Sequence, residues 1–195
     1  MEAQKSHFNR NLLIVLAVLY ALSMAGFFYF SLSSNGEGMP WWMALLNALI
    51  LSIPLVLIFG AIYVLVCAWR EHARSGQVDE KLRKVIHWAP RVAAIMIIFF
   101  MSLFSLDVFE MEATTLQLLG GFLMHNIPSF VMLVLLFFAW KRPAVGFWAF
   151  LAAGVVFVIF FVRDFYALSN LLLFALPIWL VAGLFYADWK LEESG

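Results

Sequence analysis

The chain has 195 residues, 65% of them hydrophobic and only 12% charged, with a formal net charge of zero. A soluble domain carries about 25% charged residues, and this chain has too little polar sequence to cover so large an apolar surface, so lipid is its natural solvent. Zero net charge excludes the basic footprint that nucleic acid requires, and the single cysteine, Cys67, excludes an intramolecular disulfide and a multi-cysteine zinc site.

Six continuously apolar runs follow one another at 12–31, 42–69, 92–109, 116–140, 145–162 and 167–186. Each reaches or approaches the roughly 20 residues that cross about 30 Å of hydrocarbon as a helix. None alternates apolar and polar residues as a membrane strand does. The predicted fold is therefore an all-α, polytopic membrane bundle of six helices. In the first run, Ser23-Met24-Ala25 resembles a signal-peptide cleavage site, but the apolar stretch continues through Phe27, Phe28, Tyr29 and Phe30, longer than such a region needs. It reads as a retained membrane helix.

Basic residues set the expected topology. Of the 12 Lys and Arg residues, eleven fall before the first run, in the even-numbered connections or after the last run: Lys5, Arg10, Arg70, Arg74, Lys81, Arg83, Lys84, Arg91, Lys141, Arg142 and Lys190. Only Arg163, beside Asp164, falls on the opposite side, together with Glu37, Glu110 and Glu112. Basic loops stay inside, so both termini are expected in the cytoplasm and the chain in the cell inner (plasma) membrane.

The chain divides into a two-helix transmembrane hairpin (1–69), a cytoplasmic amphipathic linker (70–90) and a four-helix transmembrane domain (91–195). Within the linker Val78, Leu82, Val85 and Ile86 recur at helical spacing among charges, which predicts a short helix on the membrane surface; docking of a partner protein is the alternative. Ile53-Pro54, Ile127-Pro128 and Leu176-Pro177 precede Trp69-Arg70, Trp140-Lys141 and Trp189-Lys190. That pattern reads either as a duplicated hairpin or as independent use of proline and of Trp-Lys interfacial anchors.

Residues 83–190 carry Ala89-Pro90-Arg91-Val92, Ser102-Leu103-Phe104-Ser105-Leu106-Asp107-Val108-Phe109, His125-Asn126-Ile127-Pro128-Ser129-Phe130 and Ala139-Trp140-Lys141. In these the chain resembles a family of small, uncharacterised prokaryotic membrane proteins of four helices, classed as a domain of unknown function. The resemblance implies a four-helix membrane fold with the first two helices as an extension, and it transfers no activity.

Candidate chemistry concentrates near the predicted outer ends of the third and fourth runs. Asp107 lies in an apolar segment, where an ionisable group is expensive, and His125 enters the neighbouring run from the same side. Helical spacing places Met96, Phe100, Phe104 and Asp107 on one stripe and Gly121, His125, Pro128 and Met132 on another, so Asp107 and His125 could face each other. Asn126, Ser102 and Ser105 add polar atoms, and Pro128 frees the carbonyl of Met124. Such parts suit a proton or cation site, or equally a hydrogen bond that ties two helices together.

No catalytic motif is present: no phosphate-binding glycine loop, no Gly-x-Ser-x-Gly, no His-Glu-x-x-His. No cofactor is expected and no metal, because His125 alone lies well inside the membrane while His7, His72 and His87 fall on the cytoplasmic side. The function classes left are small-ion, proton or small-solute transport or an accessory to it, a non-catalytic structural or assembly subunit of a membrane complex, and a lipid- or quinone-active membrane enzyme. The expected partners are the lipid bilayer and a membrane protein or second copy of the chain, with no nucleic acid.

Overall fold

A computed structural model describes residues 2–33, 40–76, 78–110, 112–161 and 167–193. Glu37, Arg163 and Asp164, and the side chains of Lys5 and Glu110, lie outside the described residues. All described elements are helical: α1 (Glu2–Ser33), α2 (Trp41–Ser75), α3 (Glu80–Leu103), a 3-10 segment (Phe104–Glu110), α4 (Thr115–His125), α5 (Ile127–Ala139), α6 (Pro143–Phe161), α7 (Ala167–Asn170), a π segment (Leu171–Ala175) and α8 (Leu176–Glu193). Helices of this kind suit an apolar solvent, where a backbone without water to bond must be satisfied within each segment.

Five stretches are long and apolar enough to cross a membrane: His7–Ser33, Trp41–Ser75, Glu80–Phe109, Pro143–Phe160 and Leu171–Glu193. The fourth predicted run is instead two helices, α4 and α5, meeting at 45°; counted as one broken span they make six. Asn126 is the joint: its N–H donates back to the Phe122 carbonyl (3.1 Å) and its own carbonyl accepts from Phe130 (2.9 Å). Pro128, in the first turn of α5, has no N–H with which to continue the ladder back to Met124. A second departure precedes Pro177, where Leu176 N–H reaches the Leu171 carbonyl, the wide π spacing that marks bulges in otherwise regular helices.

The connection between the first hairpin and the rest differs from expectation. α2 runs on to Ser75 and ends at Gly76, whose φ of 67° suits a residue without a Cβ. α3 then starts at Glu80 and continues unbroken through Pro90. No separate surface helix occupies 80–90. Ile86, Pro90, Ala93, Ala94, Ile97 and Phe100, all buried, form one stripe at helical spacing, and this continuous apolar face outweighs the single backbone bond lost to the proline.

The core is built from α3, α8, α6, α5 and α2. Ile178, Val181, Ala182, Leu184 and Phe185 of α8 meet Ala93, Ala94, Ile97 and Phe100 of α3 in one cluster that also takes in Phe150, Met132 and Leu136. α6 and α8 make the most extensive helix pair. Gly146 permits it: a Cβ there would stand 2.6 Å from the Phe185 ring. α1 packs along α2, with Arg70 stacked 3.3 Å from the centroid of Phe8. The bundle end that carries Arg70, Lys141 and Lys190 is called its basic end below, and the end near Asp107 its far end.

Candidate functional site

Two polar clusters stand out, one at each end. At the far end, Phe104–Glu110 winds as a 3-10 segment. With three residues per turn, side chains three apart eclipse, so Ser105 and Val108 share the buried face while Leu106 and Asp107 are exposed. Expectation put Phe104 and Asp107 on the stripe of Phe100; the buried row instead runs Ile97, Met101, Ser105 and Val108, four, four and three residues apart. On the neighbouring helices the register moves by one residue as well: Asn126 is buried and His125 exposed.

The hydrogen bond that joins these elements therefore runs between Asn126 Nδ2 and Ser105 Oγ, at 2.6 Å. Ser105 in turn donates to the Ser102 carbonyl (2.6 Å), and Ser102 to the Ile98 carbonyl (3.0 Å). Of the five residues expected to cluster, Ser102, Ser105 and Asn126 thus form a chain of bonds. Asp107 and His125 share no hydrogen bond or ion pair among the described residues. His125 Nδ1 lies 2.9 Å from the Gly121 carbonyl of its own helix. Asp107 faces a crevice of about 350 Å³ that it lines with Ser31 and Asn47 from the first hairpin.

The second cluster lies at the basic end and centres on Arg91. Sequence spacing counts Arg91 among the loop cations ahead of the third span, but α3 begins at Glu80, so Arg91 falls about three turns in and faces the core. Its side chain is 2% exposed and pairs with Asp188 of α8, itself 5% exposed, at 2.7 Å from Nη1 to Oδ2. Nη1 also donates to the His87 carbonyl. Nε and Nη2 both reach the Trp140 carbonyl, at 3.2 and 2.8 Å. Trp140 is the C-cap of α5, where carbonyls lack intrahelical donors and carry the negative end of the helix dipole. A planar guanidinium fits both tasks together, capping α5 on one edge and binding a carboxylate on the other. One residue thereby fastens α3, α5 and α8.

Asp188 has a second neighbour. His87 Nδ1 lies 3.2 Å from its Oδ1, and the half-exposed imidazole opens onto a surface crevice at the basic end. His87, Asp188 and Glu192 each offer one ligand atom, all within 4.8 Å of one another, which makes them the candidate metal-holding group among the described residues. The spans hid this group for a plain reason: about a hundred residues separate His87 from Asp188, and Asp188 sits between Trp and Tyr anchors in a segment that reads as a generic helix end. The available signal was Asp188 itself, an acid among Tyr186, Ala187 and Trp189 on the side where basic residues gather.

Residues 79–194 match the family described as "Domain of unknown function (DUF7670)". This is more than half of the chain, and the chain belongs to that family. The matched segment begins just ahead of α3 and holds every partner of Arg91. No curated protein and no solved structure matches the chain.

Proposed function

We propose that this member of the DUF7670 family is a multi-pass subunit of the plasma membrane with both termini in the cytoplasm, and that its role is structural: a non-catalytic component of a membrane assembly. The observation that carries the reading is the use of Arg91. The one cation drawn fully into the described bundle directs its donors to Asp188, Trp140 and His87 of the same chain. A guanidinium that commits four of its five N–H donors in this way serves helix packing. The Ser102–Ser105–Asn126 chain spends its polar atoms similarly. The distribution of Lys and Arg supports the orientation, with the basic end in the cytoplasm.

A second reading, handling of a proton or small cation, draws support from Asp107, which faces a crevice between the 3-10 segment and the first hairpin together with Asn47 and Ser31. One experiment separates the two. Purified protein in liposomes is assayed for proton and alkali-cation flux, and native membranes are run on blue-native gels. The structural role predicts flux equal to that of empty vesicles and migration as a complex larger than the 22.2 kDa chain. Flux that Asp107→Asn abolishes would establish the second reading in its place, and migration only as a monomer would remove the first.

A further inference from the structure

We infer that His87, Asp188 and Glu192 form a binding site for a divalent first-row transition ion, bridging α3 and α8 at the basic end of the bundle. Asp188 and Glu192 are four residues apart on α8, hence on one face, and His87 meets them from α3. Their ligand atoms lie within 4.8 Å of one another. A tetrahedral site with metal–ligand bonds near 2.0–2.2 Å needs its donor atoms about 3.3 Å apart. His87 Nδ1 and Asp188 Oδ1 already have that separation, at 3.2 Å. Glu192 is exposed and, with its ligand atom no more than 4.8 Å from the other two, would have to turn inward to complete the set.

The surroundings are arranged for this use. Arg91 holds Asp188 by Oδ2 and so leaves Oδ1 directed at His87, the kind of supporting bond that orients metal ligands. Lys84 pairs with Glu80 at 2.8 Å; Arg91, on Asp188 Oδ2, and Arg83, whose Nη2 turns to the Leu191 carbonyl at 3.4 Å, are the cations that the two carboxylates balance. The three ligands open onto a crevice of about 320 Å³, which gives an ion a path in and leaves a coordination position for water. One imidazole nitrogen with two carboxylate oxygens favours ions such as Zn²⁺ or Mn²⁺ over Ca²⁺ or Mg²⁺, which take all-oxygen shells. An ion here adds a second fastening of α3 to α8 beside the Arg91 pair, and this holds whichever role the protein has in the membrane.

The test is titration calorimetry with Zn²⁺ on the full-length, tag-free protein in detergent, with Co²⁺ absorption as a second readout of coordination. One ion per chain is expected, with His87→Ala and Glu192→Gln each weakening binding by no less than the loss of a mere outer-shell partner does, about ten- to a hundred-fold. Glu193→Gln, one residue on and paired instead with Lys190, leaves affinity unchanged. His87 is half-exposed and Glu192 exposed, and far-ultraviolet circular dichroism checks that both variants fold. Absence of stoichiometric binding, or binding that survives both His87→Ala and Glu192→Gln, overturns the inference and leaves a plain His87–Asp188 hydrogen bond.

Discussion

Arg91→Ala removes the fastening of three helices in one step, and its cost can be worked from the partners left behind. The Asp188 carboxylate, 5% exposed, keeps only His87, and the Trp140 carbonyl loses both of its donors. Breaking a buried ion pair costs about 3–5 kcal/mol, because the surviving charge stays buried. The pair lies at a helix end, and a chain unfolded within a membrane or micelle also finds polar partners, so the lower bound, about 3 kcal/mol, applies. Asp188→Ala strands the guanidinium and costs a similar amount. The combination Arg91→Met with Asp188→Leu removes both charges. Hydrophobic replacement of a buried pair is neutral or stabilising by about 1–4 kcal/mol, offset here by about 1–3 kcal/mol for the uncapped Trp140 carbonyl. The double variant is therefore expected within about 1 kcal/mol of the parent, far from the sum of the single losses. Denaturant unfolding in detergent, followed by tryptophan fluorescence, reads all of these, since Trp88 and Trp140 lie 6.3 Å apart beside the pair. Single variants within about 0.5 kcal/mol of the parent, or a double variant that loses the full sum, would refute the reasoning.

Two further substitutions probe the far end. Adjacent glycines of α4 should respond oppositely to alanine: at Gly121 the new Cβ stands 2.8 Å from Val108 Cγ1, whereas at Gly120 nothing lies within 4 Å. Thermal melting should show Gly121→Ala destabilised by about 1–3 kcal/mol through overpacking and Gly120→Ala unchanged or stabilised by up to about 1 kcal/mol through helix propensity; equal effects would mean that α4 does not rest on the 3-10 segment. Asn126→Ala should cost about 1–3 kcal/mol by removing the buried donor to Ser105. His125→Ala, at an exposed position, should stay within about 0.5 kcal/mol, and the reverse order would restore the Asp107–His125 stripe.

The stripe error has a specific origin. The expected stripe was anchored on Phe100, whereas the row that stays buried through the end of the span is Ile97, Met101, Ser105 and Val108. That row has ordinary helical spacing and leaves Asp107 on the side away from Ser105, so hydrogen bonds link Ser102, Ser105 and Asn126 and not Asp107 and His125. Pro128 was legible only as a missing backbone donor; that the run bends by 45° and that Asn126 is buried against Ser105 was not. Arg91 was misplaced for a different reason: charge was read as a boundary signal, when its partner on α8 allowed the charge inside.

Composition and hydropathy by themselves determined that the chain is helical, that five or six of its segments can cross a membrane, and that its basic residues gather at one end, because these follow from the free energy of moving each segment between water and hydrocarbon, a quantity local to the segment. The resemblance of its second half to a family of unknown function was legible too, in short runs of residues. What only the tertiary structure decided is which polar groups meet. Asp188 meets Arg91 and His87, and Asn126 meets Ser105, because burying a charge or an amide is favourable only when a partner from another helix arrives in register, and that register is a property of the packed bundle.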